Sequence, residues 1–535
     1  MHQILSRRAP RREMLVAAAA TALSIALTSC SGPSAAPASG SDAKPVKGGT
    51  LSMVIPADEG CVDPQQNLGR TQLAIGRSVV DSLLFQMPGR DTFQPWLAKS
   101  WTVSPDGTKY VFTLRDGVTF SDGSAFTANT VKANFDNVMK LGAKARLAST
   151  YLAGYQGTTV TDKLTATVSF DKPNAAFLPS VSTTSLGMLS DASAALSQQQ
   201  RCQKGVVGTG PYKMTKYEQN QGQTLVRRDG YRWAPAALHQ GDGYLDKIDV
   251  KVVPENGVRT GSVVSGQSDV MMEVQKSDLK ALEGAGVPIE VRANPGLPQQ
   301  YFVNTKNPVL GDVAVRRALL IGINRKQLVD STLTKYQKVA TGALSSTTPG
   351  YIELSAGLGY DLSAAKALLD KAGWKLGKDG IRVKDGKRLK FSVLYGSQLY
   401  GFLVPLMELT QQQLKELGME LTLRPLPDAD ANAAWIKGDY DLRISGLTRS
   451  DPDALRTGLS GLSPQLDKLL TQQIATTDAK KRMAVVADAQ RMVIDQALSI
   501  PINELSLPLA RQSKVHGVTF TGDSLLLLAQ LWKNA

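Results

Sequence analysis

Chemistry in this 535-residue chain would have to come from few residues: Cys30, Cys61 and Cys202, and three histidines, of which His239 and His516 lie beyond the first thirty positions. A thiol nucleophile needs a base within reach, and an imidazole metal site needs several ligands close together. Two scattered histidines argue against both, although a metal held inside an organic chelator stays open. The glycines of VVGTGPYKM, residues 206–214, suggest a phosphate loop. No Gly-Lys-Ser/Thr ending follows and Pro211 removes a backbone donor, so the stretch reads as a turn before a strand. What remains is non-covalent chemistry by side-chain and backbone polar groups. The chain is expected to bind rather than catalyse, without a cofactor.

More than one domain must position those groups, because single cores stop growing at roughly 250–300 residues. A composition of 42% hydrophobic and 20% charged residues is that of a soluble globular protein. The front, residues 1–29, is a separate unit in which Arg7, Arg8, Arg11 and Arg12 precede the apolar run MLVAAAATALSIALT. That is the layout of a signal peptide. As a helix the run spans about 22 Å, short of the ~30 Å hydrocarbon core of a bilayer. PRREML, residues 10–15, resembles a twin-arginine export signal, with the general secretory route as the alternative. The leader takes four arginines and Glu13 out of the +14 net charge, leaving +11. The basic residues are scattered and lack interleaved aromatics, which points to a basic surface near an anionic membrane or cell wall and away from nucleic acid.

LTSC, residues 27–30, resembles the lipobox of bacterial lipoproteins. That resemblance implies cleavage before Cys30, diacylglycerol on its thiol and a further acyl chain, of the palmitate type, on the new amino terminus; two chains anchor stably where one does not. A soluble secreted protein cut near the same point is the rival. With Cys30 assigned to lipid, Cys61 and Cys202 remain as an even pair in an oxidising compartment, where a disulfide is expected. Two inert buried thiols are the alternative.

Residues 30–46 form the lipidated end and a Ser/Ala/Pro/Gly tether. Order is expected to begin with a buried strand at 49–55, followed by strands such as KYVFTLRDGVTFSDG and helices such as TANTVKANFDNVMKLG. From about 297 a second mixed α/β region follows, with helices at VAVRRALLIGI, SAAKALLDKAGW and VPLMELTQQQLKELG and strands at FSVLYG and MELTLRPL. In the hairpin, Trp101, Tyr110, Phe112, Leu114 and Phe120 are spaced for one buried face.

LAKSWTVSPDGTKYVFTLRDGVTFSDGSAFTA, residues 97–128, resembles the hallmark segment of family 5 extracellular solute-binding proteins, the oligopeptide, dipeptide and nickel receptors of ABC importers. VVGTGPYKM, DGYRW (229–233), YFVNTKNPVLGDVAVRRALLIGINR (301–325), YDLSAAKALLDKAGW (360–374), GDYDLRISGLTRSDPDAL (438–455) and SIPINE (499–504) follow in the family's order. Asn129 replaces the usual acid after Phe-Thr-Ala and reads as an alternative helix cap. The resemblance implies an α/β, periplasmic-binding-protein-like Venus-flytrap. Lobe 1 would comprise residues 47–81, 204–296 and 499–535 with an inserted domain at 82–203, and lobe 2 residues 297–498. It further implies an exported, membrane-anchored, monomeric receptor that captures peptides by hinge closure and serves permease subunits with cytoplasmic ATPases. The same fold with a metal chelate, siderophore, haem or sugar as ligand is the alternative, as is a signalling or chaperone clamp.

By that resemblance Asp451, in TRSDPDAL, holds a peptide's amine, with Asp453 as the fallback; an aspartate turn before Pro452 is the structural reading. Arg70, Arg443 and Arg449 are the candidates for a ligand carboxylate. Around the cleft the loop QQNLGRT (65–71) is expected to contribute Asn67, Gly69 and Arg70, with Tyr301 at the lobe crossing and Ser397, Gln398 and Tyr400 in YGSQLYG. Tyr301 serves equally as core, and Trp435 is an aromatic wall or a core residue.

Overall fold

The computed structural model describes residues 44–397 and 403–534. The expected first strand forms as Thr50–Ile55, with Leu51, Met53, Val54 and Ile55 all buried. Burial on both faces suits a strand at the centre of a sheet. It runs parallel to Lys247–Val252 on one side and to Val270–Met271 on the other. Tyr212–Glu218, Gly222–Arg227, Ile289–Glu290 and Leu509–Arg511 complete a seven-stranded sheet. This is the framework of lobe 1.

Beside it stands a four-stranded antiparallel sheet of Ala98–Val103, Lys109–Leu114, Thr165–Phe170 and Tyr155–Asp162. Tyr110, Phe112 and Leu114 project from alternate positions into one core with Phe120 and Phe177, and Tyr110 and Phe177 meet edge to face with centroids 4.8 Å apart. Trp101 departs from the expectation of full burial. It faces Phe112 across the ladder but lies on the outermost strand, so it is only half-buried. The following helix is Ala128–Leu141, and its N-cap is Thr127, not Asn129. The Thr127 backbone N–H donates to the Thr130 hydroxyl at 3.4 Å, which places Asn129 inside the first turn. The GTGPY stretch is the turn before the strand Tyr212–Glu218, and Gly208 and Gly210 pass so close to the Ser78 and Val79 carbonyls that a Cβ would collide with them.

Lobe 2 is a five-stranded sheet in the order Glu420–Leu426, Lys390–Gly396, Leu442–Thr448, Gly296–Val303, Ser499–Asn503. The helices Val313–Gly322, Leu362–Lys371 and Val404–Glu416 fall where periodicity places them. Their apolar faces join the sheet in the largest hydrophobic cluster among the described residues. The chain passes from lobe 1 to lobe 2 near residue 295 and returns near 504. The two crossings run side by side, with Gln299 opposite Asn503 and Ala293 bridged to Ser506.

Cys61 and Cys202 are joined by a disulfide that ties the segment after the first strand to the helix Gln198–Lys204, across 141 positions of sequence. Among the described residues no helix is long and apolar enough to cross a membrane.

Candidate ligand site between the lobes

The loop expected to meet ligand, residues 65–71, is held from behind. Next to the disulfide, fully buried Arg201 donates through Nε to Asp63 Oδ2 at 2.7 Å and through Nη2 to Gln65 Oε1 at 2.8 Å. Asn67 is spent inside the loop: its amide donates to the Cys61 carbonyl at 2.5 Å and its Oδ1 accepts the Gly69 N–H at 2.7 Å. That side chain shapes the loop. Gly69 caps the helix Arg70–Gly76, and a Cβ there would run into the Glu59 carboxylate.

Arg70 is the residue this loop delivers to the seam between the lobes. One Nη donates to the Asp523 carbonyl, and Nε is buried without a partner. Arg292 reaches the same turn from the end of lobe 1, donating to Ser524 Oγ at 2.6 Å and to the Thr521 carbonyl at 3.4 Å. Burial lowers the pKa of both guanidiniums, and Asp523 opposes the shift in each. Tyr151 lies beside them, with its phenol pushed up to about 12, by burial first and against the pull of Arg449 and Arg70. From lobe 2, the Arg449 guanidinium sits 5.1 Å from the Tyr151 ring centroid. Gln86 closes the seam from lobe 1, its Nε2 donating to the Ser450 carbonyl of lobe 2 at 2.7 Å while its Oε1 finds no partner. Arg292, Tyr151 and Gln86 carry no local sequence signal that marks them as site residues; only the fold brings them to Arg70.

Asp451 is placed differently from the amine-holding role. Both of its oxygens accept from Arg482, at 2.8 and 2.6 Å, and both residues are buried. Oδ1 also accepts the Asp453 N–H at 2.7 Å, the aspartate turn before the helix Ala454–Leu459. Asp453 in turn accepts from Arg456 at 2.7 Å through each oxygen and lies 3.2 Å from Arg449. Burial alone would raise its pKa, but Arg449, Arg456 and Arg482 hold it below the usual carboxylate range. Both aspartates of the turn are therefore neutralised by the protein's own arginines.

Tyr301 is core rather than cleft: it is 1% exposed and its hydroxyl donates to Thr410 Oγ1 at 2.9 Å inside lobe 2. Arg443 stacks on Trp435 at 3.7 Å from the ring centroid, and Trp435 packs towards Phe302. Ser397 is exposed and its backbone N–H donates to the Leu426 carbonyl at 2.9 Å. Gln398 and Tyr400 lie outside the described residues, as does Cys30. Among the described residues no group of three or more His, Cys, Asp or Glu could hold a metal ion.

Two α/β lobes joined by paired crossing strands, with convergent arginines at the seam, define a ligand-binding clamp of the Venus-flytrap class. Residues 92–463 match the family described as "Bacterial extracellular solute-binding proteins, family 5 Middle". The chain belongs to that family, whose members are extracytoplasmic receptors that deliver ligands to ABC importers and are not enzymes. It is 28% identical over 465 residues to the nickel-binding periplasmic protein of Escherichia coli (strain K12), covering 80% of this chain and 84% of that protein. In fold it is similar to NikA from Brucella suis in complex with Fe(III)-EDTA, with a TM-score of 0.78 at 22% identity, covering 91% of this chain and all of the other. It is similar also to DppA from Helicobacter pylori in complex with the peptide STSA, with a TM-score of 0.72 at 23% identity, covering 92% of this chain and 99% of the other.

Proposed function

We propose that this receptor is lipid-anchored through Cys30 and captures short peptides between its lobes, closing about the crossing strands and presenting the closed form to an ABC permease. The observation that carries the reading is the pair Arg70 and Arg292, converging from two separate segments on the 521–524 turn. A peptide's terminal carboxylate is a match for planar guanidinium donors, which hold such groups in bidentate geometry. The DppA likeness, with a tetrapeptide bound, supports a peptide as occupant. Arg449, across the seam beside Tyr151, is the residue through which lobe 2 would sense that the cleft is filled. Closing then needs only a ligand that binds the closed form better than the open one by a few kcal/mol.

A metal chelate is the second reading. It is favoured by the nickel-binding relative and by the chelate in the NikA complex, since a polycarboxylate chelator presents the same groups to arginine as a peptide terminus does. Mass spectrometry of small molecules released from the purified protein separates the two. Peptides are the expected finding; a metal chelate in repeated preparations, with no peptide, overturns the first reading in favour of the second.

A further inference from the structure

Charges at the seam fall into two groups with different balances. Around the turn at 451–453, Arg449, Arg456 and Arg482 face Asp451 and Asp453, and Asp91 of lobe 1 lies close enough to Asp451 and Arg482 to feel both. Every one of those arginines has a carboxylate partner. Arg482 is pinned further by Gln473 Oε1 at 3.0 Å and by the Ala175 carbonyl of lobe 1 at 3.4 Å. A ligand ammonium arriving at Asp451 would have to share a carboxylate already bonded through both oxygens to a buried guanidinium. Like charges at that distance in a dry site repel strongly.

Around the turn at 521–524 the balance is reversed. Arg70 and Arg292 are in no salt bridge among the described residues, and both have Asp523 as their nearby anion. That carboxylate is itself engaged by the Thr521 hydroxyl, while Arg70 Nε points into buried space with nothing to accept its proton. A buried donor left unpaired costs free energy that an incoming acceptor recovers. The turn at 521–524 thus carries two guanidiniums outside any ion pair among the described residues, whereas each guanidinium at the turn 451–453 already has its carboxylate.

Deepening the reading above and resting on it, we propose that the ligand class is set by a carboxylate held at Arg70 and Arg292 with no requirement for a free amine, because Arg482 permanently occupies Asp451. Arg482 is then a specificity-determining residue that acts by exclusion. N-terminally blocked peptides and other carboxylate ligands without an ammonium group are accepted as well as free peptides.

Isothermal titration of the purified full-length protein with trialanine, N-acetyl-trialanine, trialanine amide and Fe(III)-EDTA tests this. The acetylated peptide is expected to bind within about threefold of the free one, and the amide at least tenfold more weakly. In Arg292→Gln, and independently in Arg70→Gln, the acid and the amide are expected to bind alike. An acetylated peptide tenfold weaker than the free one, with that gap closed in Asp451→Asn, overturns the inference and leaves the peptide reading standing. Binding of Fe(III)-EDTA alone, lost in Arg292→Gln, sustains the carboxylate site and removes the peptide reading. Equal affinity for acid and amide, or no binding by any of the four probes, overturns the inference.

Discussion

Asp451 and Arg482 show how the fate of one residue depends on another 31 positions away. Read locally, TRSDPDAL offers an acid before a proline, and both a ligand role and a turn are open to it. The partner that decides between them sits on the helix Ala479–Asp495, where nothing in the sequence marks Arg482 from the other basic residues around it. Removing one member of a buried ion pair strands the other, at a cost of about 3–5 kcal/mol, whereas replacing both by apolar side chains of similar volume is often close to neutral. Arg482→Met is therefore expected to lower the thermal unfolding midpoint by several degrees, and Asp451→Leu added to it to restore at least half of the loss. A calorimetric scan of the single and double variants checks the pair, and additive losses would show that the two side chains are not coupled.

At the scale of elements, the segment from the first strand to the helix Arg70–Gly76 is positioned by one covalent and one electrostatic tie lying side by side. Val62 N–H donates to the Cys202 carbonyl at 3.1 Å, and the Arg201–Asp63 pair lies one residue along. Chain-entropy arguments value a closed loop of this length at about 5 kcal/mol. Replacing both cysteines by serine is expected to lower the unfolding midpoint, and dithiothreitol to lower that of the unmodified protein towards the same value while leaving the variant unchanged. Elements of this kind were largely legible: the period-two spacing of Tyr110, Phe112 and Leu114 defines a hairpin face, and the 3.6-residue spacing of VPLMELTQQQLKELG defines a helix. The site was legible only in part. Arg70 announces itself by following a loop of Asn and Gly, but Arg292 and Tyr151 come from distant segments. Tyr301 lies in a strand buried along its whole length, so alternation could not say which face it takes.

For the whole molecule, the proposed attachment and the proposed capture can be separated by experiment. With Cys30→Ser the protein is expected to leave the membrane fraction and appear in the soluble extracytoplasmic fraction, with affinity for its released ligand unchanged within twofold. Retention of the variant on the membrane would remove the lipid anchor. Within the folded part, the two chain crossings are neighbours in a ladder: Asn294 N–H donates to the Leu505 carbonyl at 2.7 Å, just beyond the pairing of Gln299 with Asn503. Separate flexible links would let one lobe slide, twist or tumble against the other. Two strands stitched together act as a single strap, stiff to shear along its length and soft mainly to bending across it, so the lobes retain in effect one coordinate of relative motion. A receptor built on such a strap reports occupancy as an angle.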